Sequence, residues 1–184
     1  GISMILQQYK IVFAGSMGAG KTSAIQALSD IPVLTTDALN TDIASHQKQL
    51  TTVGIDYGEI TLDDDVKVGL YGTPGQERFN FMWPVVCQGA LGAVVLIDHN
   101  HQNALQDLSH YVSTFLQYTQ NIAVGITHFD ENPQKSIKIY SQWLASQPQV
   151  YPLFIIDARQ GDDIRLLTES LIANMEANAF HRVE

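Results

Sequence analysis

"GSMGAGKT", residues 15–22, follows the apolar run "YKIVFA" at residues 9–14 and opens a segment with helical spacing. It matches G-x-x-x-x-G-K-[ST], a pattern that carries meaning when a strand precedes it and a helix follows. At ordinary residue frequencies such a match arises by chance in well under ~1% of chains this long. Glycine lets the backbone approach an anion closely, and the loop amides and helix N-terminus then form a cradle for it. The candidate amides are those of Gly15, Gly18, Ala19, Gly20, Lys21, Thr22 and Ser23. Lys21 is placed to reach β- and γ-phosphates, and Thr22 to offer a hydroxyl to Mg²⁺. An ordinary glycine-rich turn between strand and helix calls for neither residue.

Outward from this loop, apolar β-rich runs alternate with helix-period segments, the pattern of a mostly parallel sheet covered by helices. The spacing predicts a helix from about Gly20 that carries Ile25 and Leu28 inward. Residues 31–52 are rich in Thr, Asp and Asn without clean period, and read as a long loop. "IDYGEITL" (55–62) and "VKVGLYG" (66–72) flank Asp63-Asp64-Asp65, so they read as a hairpin that makes one strand antiparallel. The acidic triplet reads as its solvated turn rather than a metal site. Further strands are expected at 91–98, 121–127 and 151–157, and helices at 103–117, 134–146 and 164–175. The fold class is α/β: a P-loop NTPase with a mostly parallel six-stranded sheet, one antiparallel strand and helices on both faces.

The 184 residues, 45% of them hydrophobic, suit one compact domain over 1–184, with Gly1-Ile2-Ser3 before Met4 reading as a cloning remnant. Cys87 is the only cysteine, so no intramolecular disulfide forms and a reducing, cytoplasmic setting fits best. Nineteen acidic against ten basic residues, a formal net charge of -9, disfavour nucleic acid and anionic membranes as partners. No apolar run approaches the ~20 residues that span a bilayer. Neither a signal peptide nor a lipidation motif is visible, so no direct membrane anchor is expected.

Three more stretches fall in the order and spacing of a known family. "TTVGIDYGEI" (51–60) looks like a first switch, "GTPGQERF" (72–79) like a second, and "ITHFD" (126–130) with "DAR" (157–159) like two guanine-recognition boxes. From about Lys10 to Met175 the chain thereby resembles the Ras-like small GTPase superfamily. Its likeness is greatest to bacterial members: gliding-motility and polarity GTPases, and those encoded beside roadblock-type proteins. The resemblance implies a GTP/GDP switch with bound Mg²⁺ and slow intrinsic hydrolysis. Thr52, or its neighbour Thr51, would bind Mg²⁺ and the γ-phosphate; Gly75 would offer its N–H to that phosphate. Gln76 would orient the attacking water, so the implied catalytic set is Gln76, Lys21 and Thr52. Asp130 would accept from guanine N1–H and the 2-amino group. Thr127 and His128 stand where the family has asparagine and lysine. Ala158 would meet the guanine O6 through its amide, with Asp157 and Arg159 flanking the base.

Gly72 departs from the family, which usually has an aspartate there to accept from Mg²⁺-bound water; a weakened or rearranged metal shell is the expected outcome. Arg78 reads as a brace for the second switch rather than a finger, so an activating partner is expected. Met17 is bulky where relatives carry a small residue, and would obstruct a finger from such a partner. "FNFMWPVV" (79–86) carries Phe79, Phe81, Met82 and Trp83; about half should pack inward and the rest suit a protein contact. Roadblock or longin-type regulators are what the resemblance implies. His99-Asn100-His101 lacks further ligands at metal spacing and reads as a solvated loop. Two other readings stand beside the switch: a binding module that holds nucleotide with little or no hydrolysis, and a P-loop kinase or ATPase.

Overall fold

Alternation along the first strand divides the core in two. In β1 (Gln8–Ala14), Ile11 and Phe13 enter one apolar cluster while Val12 and Ala14 enter the other, and all four are fully buried. The computed structural model describes residues 8–36, 55–62, 65–73 and 77–183. Its other strands are β2 (Leu34–Thr36), β3 (Ile55–Leu62), β4 (Val66–Gly72), β5 (Gly92–Asp98), β6 (Ile122–Thr127) and β7 (Leu153–Ile155). They form one sheet in the order β2-β3-β4-β1-β5-β6-β7. β1 pairs in parallel with β4 and β5, and β6 pairs in parallel with β5 and β7. β3 runs antiparallel to both its neighbours and is the one reversed strand, as expected.

Among the described residues the sheet has seven strands rather than six. The extra one, β2, lies in the segment expected to be loop. Three residues are too few to show a period, and Leu34 to Thr36 gain their strand geometry from pairing with Tyr57 to Ile55. β7 is shorter than the apolar run 151–157, while β5 and β6 are buried along almost their whole length, as parallel strands covered on both faces should be.

The helices are α1 (Lys21–Leu28), α2 (Trp83–Val86), α3 (Ala104–Phe115), α4 (Lys138–Ala145) and α5 (Gly161–Val183). α1 and α5 cover one face: Ile25 and Leu28 with Ile164, Leu167 and Leu171 pack on Ile11 and Phe13. α2, α3 and α4 cover the other through Trp83, Leu108, Phe115 and Tyr140. α4 starts four residues later than its period implied, and the Ser136 hydroxyl accepts from the Lys138 amide at its entry. α5 extends beyond 164–175 at both ends. None of the described helices is long and apolar enough to cross a membrane.

His99 corrects the expectation of a solvated loop: it is fully buried. Its Nε2 lies 3.0 Å from the Asn132 carbonyl and 3.2 Å from that of Lys135, so this nitrogen carries a hydrogen. Nδ1 sits 2.8 Å from the Tyr140 hydroxyl, whose pKa burial pushes up to about 12. These partners come from residues 132–140, which local sequence does not place beside position 99. His101 pairs with Asp107 at 2.9 Å. Of the acidic turn, Asp63 and Asp64 fall outside the described residues, and Asp65 is exposed.

Strand order reverses at β1: successive strands lie to one side of it, then to the other. Open α/β sheets bind ligands at such a point, beyond the carboxyl ends of the strands. The loops after β1, β4, β6 and β7 all emerge at that edge, and the reversed β3 brings its first residues to the same edge.

Candidate functional site

The phosphate-loop glycines take positive φ at Gly15, Gly18 and Gly20. Gly20 also permits a close approach: a Cβ there would stand 2.8 Å from that of Ala158. The glycine-rich loop and the loop at Ala158 therefore touch. Lys21 donates through Nζ to the carbonyl oxygens of Gly15 and Ser16, the latter at 2.9 Å. Burial lowers its pKa to about 8, opposed by the nearby negative charge of Asp56. The Thr22 hydroxyl donates to Asp56 Oδ2, and the Thr35 hydroxyl donates to Oδ1 at 3.1 Å.

At the other end, the short 3-10 turn Phe129–Glu131 follows β6 and carries the exposed Asp130. His128 enters it with φ 59°, a conformation that histidine tolerates better than branched residues do. Its Nε2 lies 3.0 Å from the Gly18 carbonyl and so donates to it, while Nδ1 is 3.5 Å from Glu131. Thr127 is 1% exposed, and its hydroxyl is aimed at the carbonyls of Ala19, 2.9 Å away, and Ile97, 3.3 Å away. It braces the phosphate loop from below and offers no hydroxyl to the cleft. Arg159 grips Asp157 through Nε at 3.0 Å and Nη2 at 2.9 Å, and the Arg159 amide adds a third bond at 2.9 Å. Those hydrogen bonds hold the Asp157 carboxyl down at about 2, so it stays ionised.

Two cavities meet here. One, of about 430 Å³, is lined by Gly20, Ser23, Thr127, His128, Asp130, Asp157, Ala158 and Arg159 among others. The second, of about 440 Å³, is lined by Met17, Gly18, Lys21, Thr22, Asp56, Gly72 and Thr73, and shares Gly20, Ser23 and His128 with the first. Together they form a cleft in the size range of small-molecule sites. One end presents the Asp130 carboxylate; the other presents the Lys21 amine, held by the carbonyls of Gly15 and Ser16.

Gly15 and Ala19 lie buried beneath the loop rather than in the cleft wall. Thr52, Gly75 and Gln76 lie outside the described residues. Met17 is 65% exposed at the mouth of the phosphate end. Of the aromatic run, Met82 and Trp83 are buried, Phe81 is 50% exposed, and the Phe79 side chain lies outside the described residues. Asp56 and Thr35 were not anticipated. The hairpin register carries the signal for Asp56: one step beyond the Tyr57–Tyr71 pair, the ladder sets it opposite Gly72.

The chain is similar to the Ras-related protein RabC of Dictyostelium discoideum, 25% identical over 179 residues, 92% of this chain and 84% of that protein. It is similar to Rab-18 of Caenorhabditis briggsae, 28% identical over 119 residues, 63% of this chain and 53% of that one. An uncharacterised protein, MJ1339, of Methanocaldococcus jannaschii is 34% identical over 91 residues, 50% of this chain and 51% of its own. The matched region thus spans about half the length of MJ1339 and of Rab-18. RabC and Rab-18 support a Ras-like, P-loop superfamily, at low identity. A model of the family described as conserved hypothetical ATP binding protein matches residues 32–151, well over half of the chain, and the chain belongs to that family.

Proposed function

We propose that this protein binds GTP and GDP in the cleft and acts as a nucleotide switch with slow intrinsic hydrolysis. One observation carries the reading: the Asp130 carboxylate and the Ala158 loop share a cleft with the phosphate loop, joined through Gly20 and His128. Guanine presents N1–H and a 2-amino group to a carboxylate, donors that adenine lacks, and a site built on such bonds rejects poor matches strongly. Titration calorimetry with GTP, GDP and ATP tests this. Guanine nucleotides should bind at least ~100-fold tighter, the worth of about two hydrogen bonds to a charged acceptor. Equal affinity for ATP would overturn the guanine assignment and favour the adenine reading that the family's description carries.

Thr52 and Gln76 carry the proposed switch and hydrolytic roles by their place in the switch motifs. The phosphate end suits a hard cation: Thr22 offers a hydroxyl oxygen, and Thr52 would add a second from the first switch. Mg²⁺ bound there would neutralise charge on the phosphates. Partners at the switch surface are proposed to be protein regulators, with the exposed Phe81 as a contact. A finger from such a partner must pass Met17. A module that holds nucleotide without hydrolysis is the second reading, favoured by glycine at position 72.

Lys21 makes the binding pH-dependent in a set direction. With its pKa lowered to about 8 before phosphate arrives, the lysine is charged below pH 8 and neutral above it. Phosphates demand the ammonium, so binding above pH 8 takes up a proton. Triphosphate affinity should hold steady between pH 6.5 and 7.5 and fall up to about tenfold per unit above 8. Calorimetry in buffers of different ionisation enthalpy should show the proton uptake directly. A flat affinity from pH 7 to 9.5 would remove Lys21 from the phosphate contact.

A further inference from the structure

Glycine at position 72, the last residue of β4, leaves space that another residue enters. A Cβ on Gly72 would stand 3.4 Å from the Asp56 Cβ and 3.2 Å from Ile25 Cδ1. Asp56 reaches the cleft from the neighbouring strand β3 and lines it together with Lys21, Thr22 and Gly72. We infer that Asp56 is the carboxylate that holds a divalent cation's shell against the phosphate loop, supplied across the sheet through the space that Gly72 leaves open. This rests on the proposed nucleotide-binding reading.

The hydrogen-bond geometry sets up the chemistry. A hydroxyl has one proton and two lone pairs. Thr22 gives its proton to Asp56, which leaves its lone pairs for a cation. The same carboxylate therefore orients the hydroxyl and retains acceptor capacity for metal-bound water. Its other oxygen holds Thr35 of the short strand β2. Mg²⁺ keeps several waters and takes one or two carboxylates plus substrate phosphates. Among the described residues, no group of three His, Cys, Asp or Glu side chains gathers to hold a metal by itself. One carboxylate therefore needs the phosphates as co-ligands, and cation and nucleotide should tighten each other's binding reciprocally.

A different role for Asp56 has to be separated: its charge also favours the ammonium form of Lys21. Dissociation of a fluorescent N-methylanthraniloyl GDP, followed over a series of free Mg²⁺ concentrations and in EDTA, distinguishes them. In wild type, Mg²⁺ should slow release. Asp56→Asn should raise the Mg²⁺ concentration needed for half-maximal retention by about 10–100-fold, the usual weight of an outer partner, with release in EDTA unchanged. Gly72→Asp added to Asp56→Asn should recover part of the shift, since the two positions face each other. That double variant also keeps a result available if the single variant folds poorly. An unchanged Mg²⁺ dependence in Asp56→Asn would overturn the inference. So would equal acceleration in EDTA and in Mg²⁺, which would assign Asp56 to Lys21 alone. Wild-type protein that retains no GDP analogue under any condition would instead overturn the nucleotide reading itself.

Discussion

Asp130→Asn should lower affinity for GTP by about 10²–10⁴-fold and raise affinity for xanthosine triphosphate. Two guanine donors, N1–H and the 2-amino group, face one carboxylate in the proposed complex. Each hydrogen bond to a charged partner is worth about 1.5–3 kcal/mol, and about 1.4 kcal/mol is tenfold. Asparagine keeps one acceptor and replaces the other with an amide donor. That donor meets the 2-amino group badly but suits the 2-oxo group of xanthine. Asp130 is exposed on a three-residue turn, so the exchange should leave the melting temperature of the unliganded protein almost unchanged. Calorimetry with both nucleotides reads the swap. A variant that loses both equally, or keeps GTP, would show that the base lies elsewhere.

Gly15→Ala should be the most damaging glycine-to-alanine change among the described residues. Gly15 leaves β1 with φ 149°, outside the range that an L side chain adopts without strain. A Cβ there would stand 2.4 Å from the Leu96 carbonyl oxygen and 3.2 Å from the Ala19 Cβ. The first of these is main chain in β5, at the centre of the sheet, and has nowhere to move. Backbone strain of about 1–3 kcal/mol adds to overpacking of about 1–3 kcal/mol. At about 2–4 °C per kcal/mol for a chain this size, the melting temperature should fall by roughly 5–20 °C. Differential scanning calorimetry without nucleotide measures it. A shift below about 2 °C would mean that the loop and β5 are not packed this closely.

The phosphate loop was legible because its signal is local: each residue type answers to the backbone beside it. The parallel sheet was legible too, since β5 and β6 are uninterrupted apolar runs. What escaped depends on neighbours distant in sequence. His99 looks like any polar residue after a strand, and only the arrival of Asn132, Lys135 and Tyr140 gives it a dry, satisfied site. β2 is a strand because β3 lies beside it. Thr127 reads in sequence as part of a base-recognition box, yet its hydroxyl is drawn down to Ala19 and Ile97. Asp56 is the instructive omission. Gly72 invited attention as a lost acid, while the antiparallel register implied by the hairpin already set a carboxylate opposite it.

The cleft draws its walls from residues between 17 and 23 and from residues 157–159, far apart in sequence. During synthesis the cradle leaves the ribosome long before the loop that would close over a base. Until α5 arrives, Ile11 and Phe13 lack the cover of Ile164 and Leu167. Occupancy of the cleft would thus mark a chain made at least through α5. A ligand that selects the completed fold also removes unfinished or loosened chains from the functional pool, by mass action alone.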